Sequence, residues 1–294
     1  MNKRAMLTLL SLSLIWGCSF IFIKVGIESF SPLELALLRT LLGSIVIFVV
    51  VRAKKLPSPH SFEVWWKLAV AAAISNTIPY ILFAYGETHI SAILAGLLNA
   101  MTPLITFPVA IAAGIEHSSS RRILGLVLGF IGVLIVVGIG GNIASGSLLG
   151  SGACLLAAAF YGVGFVFVRK TITMTDETRL GLAGGQLLMA TLEAFVVLPL
   201  FWHGAQAVNP RSIVAVLLLG VMGTGFAYVL SYSLIHRVGA LGASLAPLIM
   251  PIFSTVAGVL VLQERLIWYQ PIGAALILVG AWFVQRTPKF LALE

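Results

Sequence analysis

Trp16-Gly17-Cys18-Ser19-Phe20-Ile21-Phe22-Ile23-Lys24 lies in the first apolar stretch of the chain. It returns 145 residues later as Tyr161-Gly162-Val163-Gly164-Phe165-Val166-Phe167-Val168-Arg169. An aromatic residue, Gly, two variable positions, Phe, three apolar residues and a closing cation recur in one order. The echo predicts a chain made of two copies of one unit, and the rest of the sequence tests that reading.

Of 294 residues, 60% are hydrophobic and only 10% charged, with mean hydropathy +1.07. A soluble domain carries about a quarter charged residues, so water is not the expected solvent for most of this surface. The net charge of +8 would suggest nucleic acid in a soluble protein. Here the cations sit in short loops between apolar runs, the pattern of a membrane protein's cytoplasmic face, and no nucleic-acid partner is expected. The basic, apolar N-terminus resembles a secretory signal. However, Trp16 stands where cleavage needs a small residue, and many further apolar runs follow. Cys18 and Cys154 fall within apolar runs without metal-like spacing and read as small packing residues; no metal or cofactor is expected.

A span needs about 20 apolar residues. Ten segments qualify, at about 5–24, 32–51, 66–86, 91–114, 123–140, 147–168, 180–202, 212–233, 240–262 and 269–285. The expected fold class is an all-α integral membrane protein. With the N-terminus inside, fourteen of the eighteen Lys and Arg fall on inner loops and tails. Lys24, Arg211 and Arg265 are left outside, and Arg39 lies within span two. Both termini are therefore expected in the cytoplasm.

Later matches share an offset of 148: Tyr80 with Tyr228, Pro103 with Pro251, Glu116 with Glu264, Gly125 with Gly273 and Gly132 with Gly280. Five spans per copy is an odd number, so the second copy enters from the opposite side. The expectation is ten transmembrane helices as two inverted five-helix repeats, residues 1–145 and 146–294. Inverted repeats with a mid-membrane site are a design of secondary transporters.

The Trp-Gly-x-x-Phe-x-x-x-Lys start, Pro32 followed by Arg39, and Pro103 followed by Glu116 and Gly125 resemble the EamA-type drug/metabolite transporters. So do Gln186 in the place of Arg39, then Pro251, Glu264 and Gly273. The resemblance runs over essentially the whole chain. It implies a ten-helix carrier, mostly known as a bacterial exporter of amino acids or other small metabolites, and it does not identify the substrate.

The candidate substrate-binding residues are Trp16, Ser19, Asn76, Tyr80, Asn99, Tyr161, Thr224 and Tyr228. Asn76 and Tyr80 are four apart and share a helical face; Thr224 and Tyr228 repeat that spacing. Together these residues would line a moderately apolar cavity with a few hydrogen-bonding groups, although Ser, Thr and Asn also bridge membrane helices as plain structural contacts. Pro79, Pro103, Pro247 and Pro251 are candidate helix breaks and gates, with a packing kink as the plainer reading. Arg39 and Glu193 are ionisable groups within spans. They read as a coupling or ion-pair set in which Glu193 binds and releases a proton during each cycle, with a neutral hydrogen-bonded Glu or a static ion pair as the equal alternative. Lys24 reads as a snorkelling cation or an outer gate. The spaced glycines of spans five and ten read as close helix contacts, within the scaffold or between subunits.

An intramembrane enzyme would need a catalytic constellation, and no paired Asp or His-x-x-x-His motif occurs. A channel would want a continuous polar path, and a receptor would more often have seven spans and no inverted repeat. The expected activity is therefore carriage of a small molecule across the lipid bilayer, not catalysis. An amino acid is the first choice of substrate, and a drug or other metabolite the second.

Overall fold

The structure is a computed structural model that describes residues 3–138, 145–172, 178–201, 207–243 and 245–285, without the side chains at 145–147 and 239–242. Among the described residues every regular element is helical. In order they are α1 Lys3–Gly26, α2 Pro32–Ala53, α3 Phe62–Ala72, a π-helical turn at Ala73–Thr77, α4 Ile78–His89, α5 Ala92–Asn99, α6 Thr102–Ala112, α7 Ser120–Val137 and α8 Ser145–Thr171. The second half continues with α9 Arg179–Phe201, α10 Pro210–Leu217, a π-helical run at Leu218–Phe226, α11 Ala227–Ala243, α12 Ala246–Val261 and α13 Gln270–Gln285.

Eight helical stretches are long and apolar enough to cross a membrane, and α12 and α13 are shorter apolar helices. Sixteen residues rise about 24 Å, less than the roughly 30 Å of a hydrocarbon core. In the ninth expected span the shortfall has a local cause. A loop was expected between 233 and 240, yet α11 runs unbroken to Ala243 and the chain breaks only before α12, where Pro247 occupies the first turn. Nothing in Leu234–Val238 stops a helix, whereas Pro is tolerated at a helix start because its missing N–H has no intrahelical partner there.

Local chemistry sets the other boundaries. Ser31 opens α2 with a capping box: its hydroxyl accepts from Glu34 N at 3.3 Å, and the Glu34 carboxylate accepts from Ser31 N at 2.8 Å. Two backbone donors at the helix start are thereby satisfied. Ser91 accepts from Leu94 N at 3.1 Å and starts α5 after Ile90 adopts an extended conformation.

The helices pack as α1 on α12, α2 on α9, α4 on α8, α6 on α8 and α7 on α13. Glycines decide three of these crossings. A Cβ on Gly17 would lie 3.1 Å from Ser254 N on α12; one on Gly162 would lie 3.0 Å from Thr106 N on α6. Ser254 and Thr106 are themselves 148 residues apart, so the opening motif needs Gly for the same close approach in each half. The α7–α13 crossing is equally tight: Gly132 faces Gly273 O and Gly125 faces Gly280 O, each 2.6 Å from a would-be Cβ. These small faces cover each other within one chain, so the glycines of the fifth and tenth spans serve the scaffold rather than a second subunit. The largest apolar cluster gathers Phe20, Phe83, Leu98, Leu104, Val136 and Ile277, from six helices.

Candidate functional site

Asn76 and Thr224 each sit within a π-helical segment, fully buried and about midway along a long helical stretch. A π turn inserts a residue into the helix and leaves a widened backbone, a distortion concentrated at functional sites. Thr224 Oγ1 donates to Leu219 O, five residues back, at 3.0 Å, filling the enlarged turn.

From these two points a polar network spreads. Asn76 Nδ2 donates to Tyr80 Oη at 3.0 Å and to Tyr228 Oη at 3.1 Å, while its Oδ1 accepts from Gln186 Nε2 at 2.6 Å. Arg39 Nε donates to Thr224 Oγ1 at 2.9 Å, and its guanidinium lies 3.7 Å above the Tyr80 ring. Arg39 and Gln186 are counterparts in the two halves, as are Asn76 and Thr224. Two of the hydrogen bonds that cross between halves, Arg39 to Thr224 and Gln186 to Asn76, thus join counterpart positions.

An aromatic wall stands beside the network. Tyr80 meets Tyr161 edge-on at 6.4 Å, Tyr161 stacks on Phe83 at 5.8 Å, and Phe83 meets Phe20 edge-on at 5.6 Å. Ser19 Oγ donates to Ile15 O at 3.0 Å and lies against Gly223 of the second π segment. Trp16 packs half-buried between two apolar clusters. Asn99 ends α5, buried, and its carbonyl accepts from Thr102 Oγ1 at 2.8 Å. The structure therefore brings Arg39, Asn76, Tyr80, Tyr161, Thr224 and Tyr228 together, sets Ser19 at their edge, and leaves Trp16 and Asn99 outside the hydrogen-bonded group. Gln186, singled out in the sequence only as the counterpart of Arg39, belongs inside it.

Arg39 and Glu193 form no ion pair. Glu193 accepts from Thr77 Oγ1 at 2.5 Å, whereas Arg39 has no acidic partner among the described residues. Span seven turns Glu193 toward the residue after Asn76, and the contact of Arg39 with Tyr80 turns its cation the other way.

The expected gates separate into two kinds. Pro103 and Pro247 stand in the first turns of α6 and α12, where no donor is lost, whereas Pro79 follows the π-helical turn inside the continuous helical stretch Phe62–His89. The breaks at Ala100–Met101 and at Leu245 therefore precede Pro103 and Pro247. Pro251 lies inside α12 and does not break it.

The two ends of the bundle differ. At one end Lys24 Nζ donates to Glu87 O at 2.5 Å and Ile90 O at 2.8 Å. There the Glu264 carboxylate also accepts from Ala92 N at 2.8 Å and Ile93 N at 2.9 Å. At the other end Glu116 pairs with Arg122 at 3.0 Å and Arg169 at 3.2 Å. Partial burial pushes the Glu116 carboxyl up, but the hydrogen bonds and charges of the two arginines outweigh it and hold it below the usual range. Also at this end, an open cleft of about 550 Å³ is lined by Lys54, Leu230, Tyr232, Ser233, His236 and Arg237, one turn from Tyr228.

The family model for the EamA-like transporter family matches twice, over residues 3–138 and 148–286. The chain belongs to the EamA-like transporter family. This EamA-like protein is 25% identical over 284 residues to an uncharacterized transporter of Archaeoglobus fulgidus, across 96% of this chain and 97% of that one. It is 25% identical over 285 residues to the uncharacterized transporter YoaV of Bacillus subtilis, across 94% and 95%. Identity is 24% over 295 residues, across 96% and 95%, to an Escherichia coli protein described as a probable amino-acid metabolite efflux pump. A solved crystal structure at 19% identity superposes with a TM-score of 0.69, covering 97% of this chain and 99% of that one, and so shares the fold. The EamA-like chain is a multi-pass membrane transporter.

Proposed function

We propose that this transporter exports amino acids or closely related metabolites across the bacterial cytoplasmic membrane, by alternating access through the Arg39–Asn76–Tyr80–Tyr228 site. The single observation that carries the substrate class is Arg39: a buried cation, 8% exposed, with no acidic partner among the described residues. A buried charge without a counter-ion is costly, and a solute carboxylate is the counter-ion that best matches a guanidinium fork. The adjoining aromatic wall suits an apolar or ring-bearing side chain, and the phenol and amide groups suit neutral hydrogen bonding. Glu193, held by Thr77, borders this site.

Two inverted halves, residues 1–145 and 146–294, with ten membrane crossings are the architecture we assign to this cycle. Three features support it: the paired π segments, the duplicated Arg39–Thr224 and Gln186–Asn76 contacts, and the reciprocal glycine crossing of α7 and α13. With the cation-rich end inside, the cleft at Lys54 and Arg237 faces the cytoplasm and the Lys24–Glu264 end is sealed outside. The direct test is flux in proteoliposomes given a panel of labelled amino acids. Saturable flux of one or more members is expected. No flux of any of them from folded protein would refute the substrate class.

A further inference from the structure

Glu87 is the most completely buried acid among the described residues: it has no solvent exposure, and neither carboxyl oxygen has a hydrogen-bond partner. It stands in the last turns of α4, seven residues and about two turns beyond Tyr80 on the same face. Phe83, one turn back toward Tyr80, carries the aromatic wall that leads from Arg39. Every other acid for which a contact is described is partnered: Glu34 in its capping box, Glu63 on Lys67, Glu116 on two arginines, Glu193 on Thr77 and Glu264 on two backbone amides.

Lys24 is the cation placed to neutralise Glu87, and it is engaged elsewhere. Its ammonium donates to the backbone carbonyls of Glu87 and Ile90, not to the carboxylate. The other groups acting on Glu87 are Arg39 from α2, Cys154 from α8 and Glu264 beyond α12. Neither α5 nor the first π segment contributes a titratable side chain. An ionised carboxylate in a dry site with neither oxygen hydrogen-bonded is far more costly than the neutral acid.

We propose that Glu87 is a proton-binding site of the transport cycle, occupied while the Lys24–Glu264 end is closed and emptied when that end opens to water. On opening, the carboxyl O–H breaks, its proton passes to water, and the carboxylate left behind takes the Lys24 ammonium released from its two carbonyls. Closing reverses each step. A proton is thereby bound and released at a place set by the state of one gate, and the neighbouring Arg39 site responds to the same charge. The inference rests on the transporter reading above, and its test separates the two.

The experiment compares wild type, Glu87→Gln and Glu193→Gln in proteoliposomes, with flux read under an imposed pH gradient and exchange read at equal pH. Wild type is expected to accelerate under the gradient. Glu87→Gln is expected to lose that acceleration entirely while keeping equal-pH exchange, because Gln matches the neutral acid in shape and charge. Infrared spectra of the same samples supply a readout independent of substrate. A carbonyl stretch of protonated carboxyl, shifted in heavy water, is expected in wild type at neutral pH and diminished in Glu87→Gln. A gradient response kept by Glu87→Gln, or lost only in Glu193→Gln, overturns the proposal, as does an unchanged carboxyl band. A Glu87→Gln protein that fails to fold also counts against it. If no amino acid moves while the infrared band behaves as expected, the substrate reading falls and the proton site stands.

Discussion

Replacing Arg39 with Gln removes one charge from a site that otherwise stays neutral. The guanidinium is buried, spends Nε on Thr224 at 2.9 Å and lies over Tyr80 at 3.7 Å. Its remaining donors are thereby left for a solute. A carboxylate about 4 Å from the guanidinium carbon gains about 4 kcal/mol at an effective dielectric of about 20. Desolvation of the solute takes back a share, and truncating one partner of a buried hydrogen-bonded charge pair costs about 2–5 kcal/mol. A net loss of about 2–4 kcal/mol corresponds to a factor of about 30 to 1,000 in affinity. The assay pairs a transported amino acid with its amide, which differs only in lacking the charge. Wild type is expected to prefer the acid by that factor. Arg39→Gln is expected to raise half-saturation for the acid by about 30- to 1,000-fold and to leave the amide almost unchanged. Arg39→Lys, a point charge without the fork, falls between. If Arg39→Gln still discriminates acid from amide as wild type does, or loses both equally, Arg39 does not bind the carboxylate.

Two further outcomes test the packing and the inner ion pairs. Gly17→Ala puts a Cβ 2.7 Å from Phe253 Cβ and 2.8 Å from Met250 O, so α1 and α12 must part at a cost of about 1–3 kcal/mol. Gly152→Ala on the same kind of helix meets nothing within 4 Å and is expected to stabilise by about 0.5–1 kcal/mol; thermal unfolding of the purified proteins should show shifts of opposite sign. Glu116, held below the usual carboxylate range by Arg122 and Arg169, contributes stability that is present above the unfolded carboxylate pKa and lost as pH falls through its lower folded value. Glu116→Gln should flatten that acid-side loss in a melting series against pH.

Much of the site was legible because membrane sequences concentrate their information in the few residues that lipid does not tolerate. Asn76, Tyr80, Thr224 and Tyr228 stand out by spacing alone, and the structure brings them together through Asn76 and Arg39. Which donor meets which acceptor was not legible. The π segments shift the helical register by one residue, and no pattern in Ala73–Thr77 announces that shift. Arg39 lies over Tyr80 while Glu193 accepts from Thr77, and no spacing in spans two and seven announces those rotations. Glu87 escaped notice because it lies in Tyr85-Gly86-Glu87-Thr88-His89, which reads as a polar helix end. Only packing by α8 reveals that one face of this end is sealed. Gly86 is part of the reason: its missing side chain admits Gly150 O to 2.9 Å of where a Cβ would stand.

The two halves carry one pattern and hold it in two conformations, and the acids Glu264 and Glu116 show why. Glu264 takes the amides of Ala92 and Ile93 because the chain breaks at Ile90 and Ser91, which frees those donors at the start of α5. The positions 148 residues on from these amides are 240 and 241, within α11, where backbone donors are already committed to the helix. Glu116 therefore has no helix start to cap and pairs with Arg122 and Arg169 instead. Part of the difference lies in the capping residue. Ser91 carries a hydroxyl that accepts from Leu94 N, and its counterpart Gly239 has no side chain to offer. A side-chain cap favours the break at one end, and its absence lets the helix continue at the other. The asymmetry between a sealed end and an open cleft is thus written in a small number of substitutions on a shared backbone plan. In the inverted-repeat cycle proposed above, exchange of the two arrangements would require that a helix start form near Gly239 while the one at Ser91 is absorbed into a longer helix.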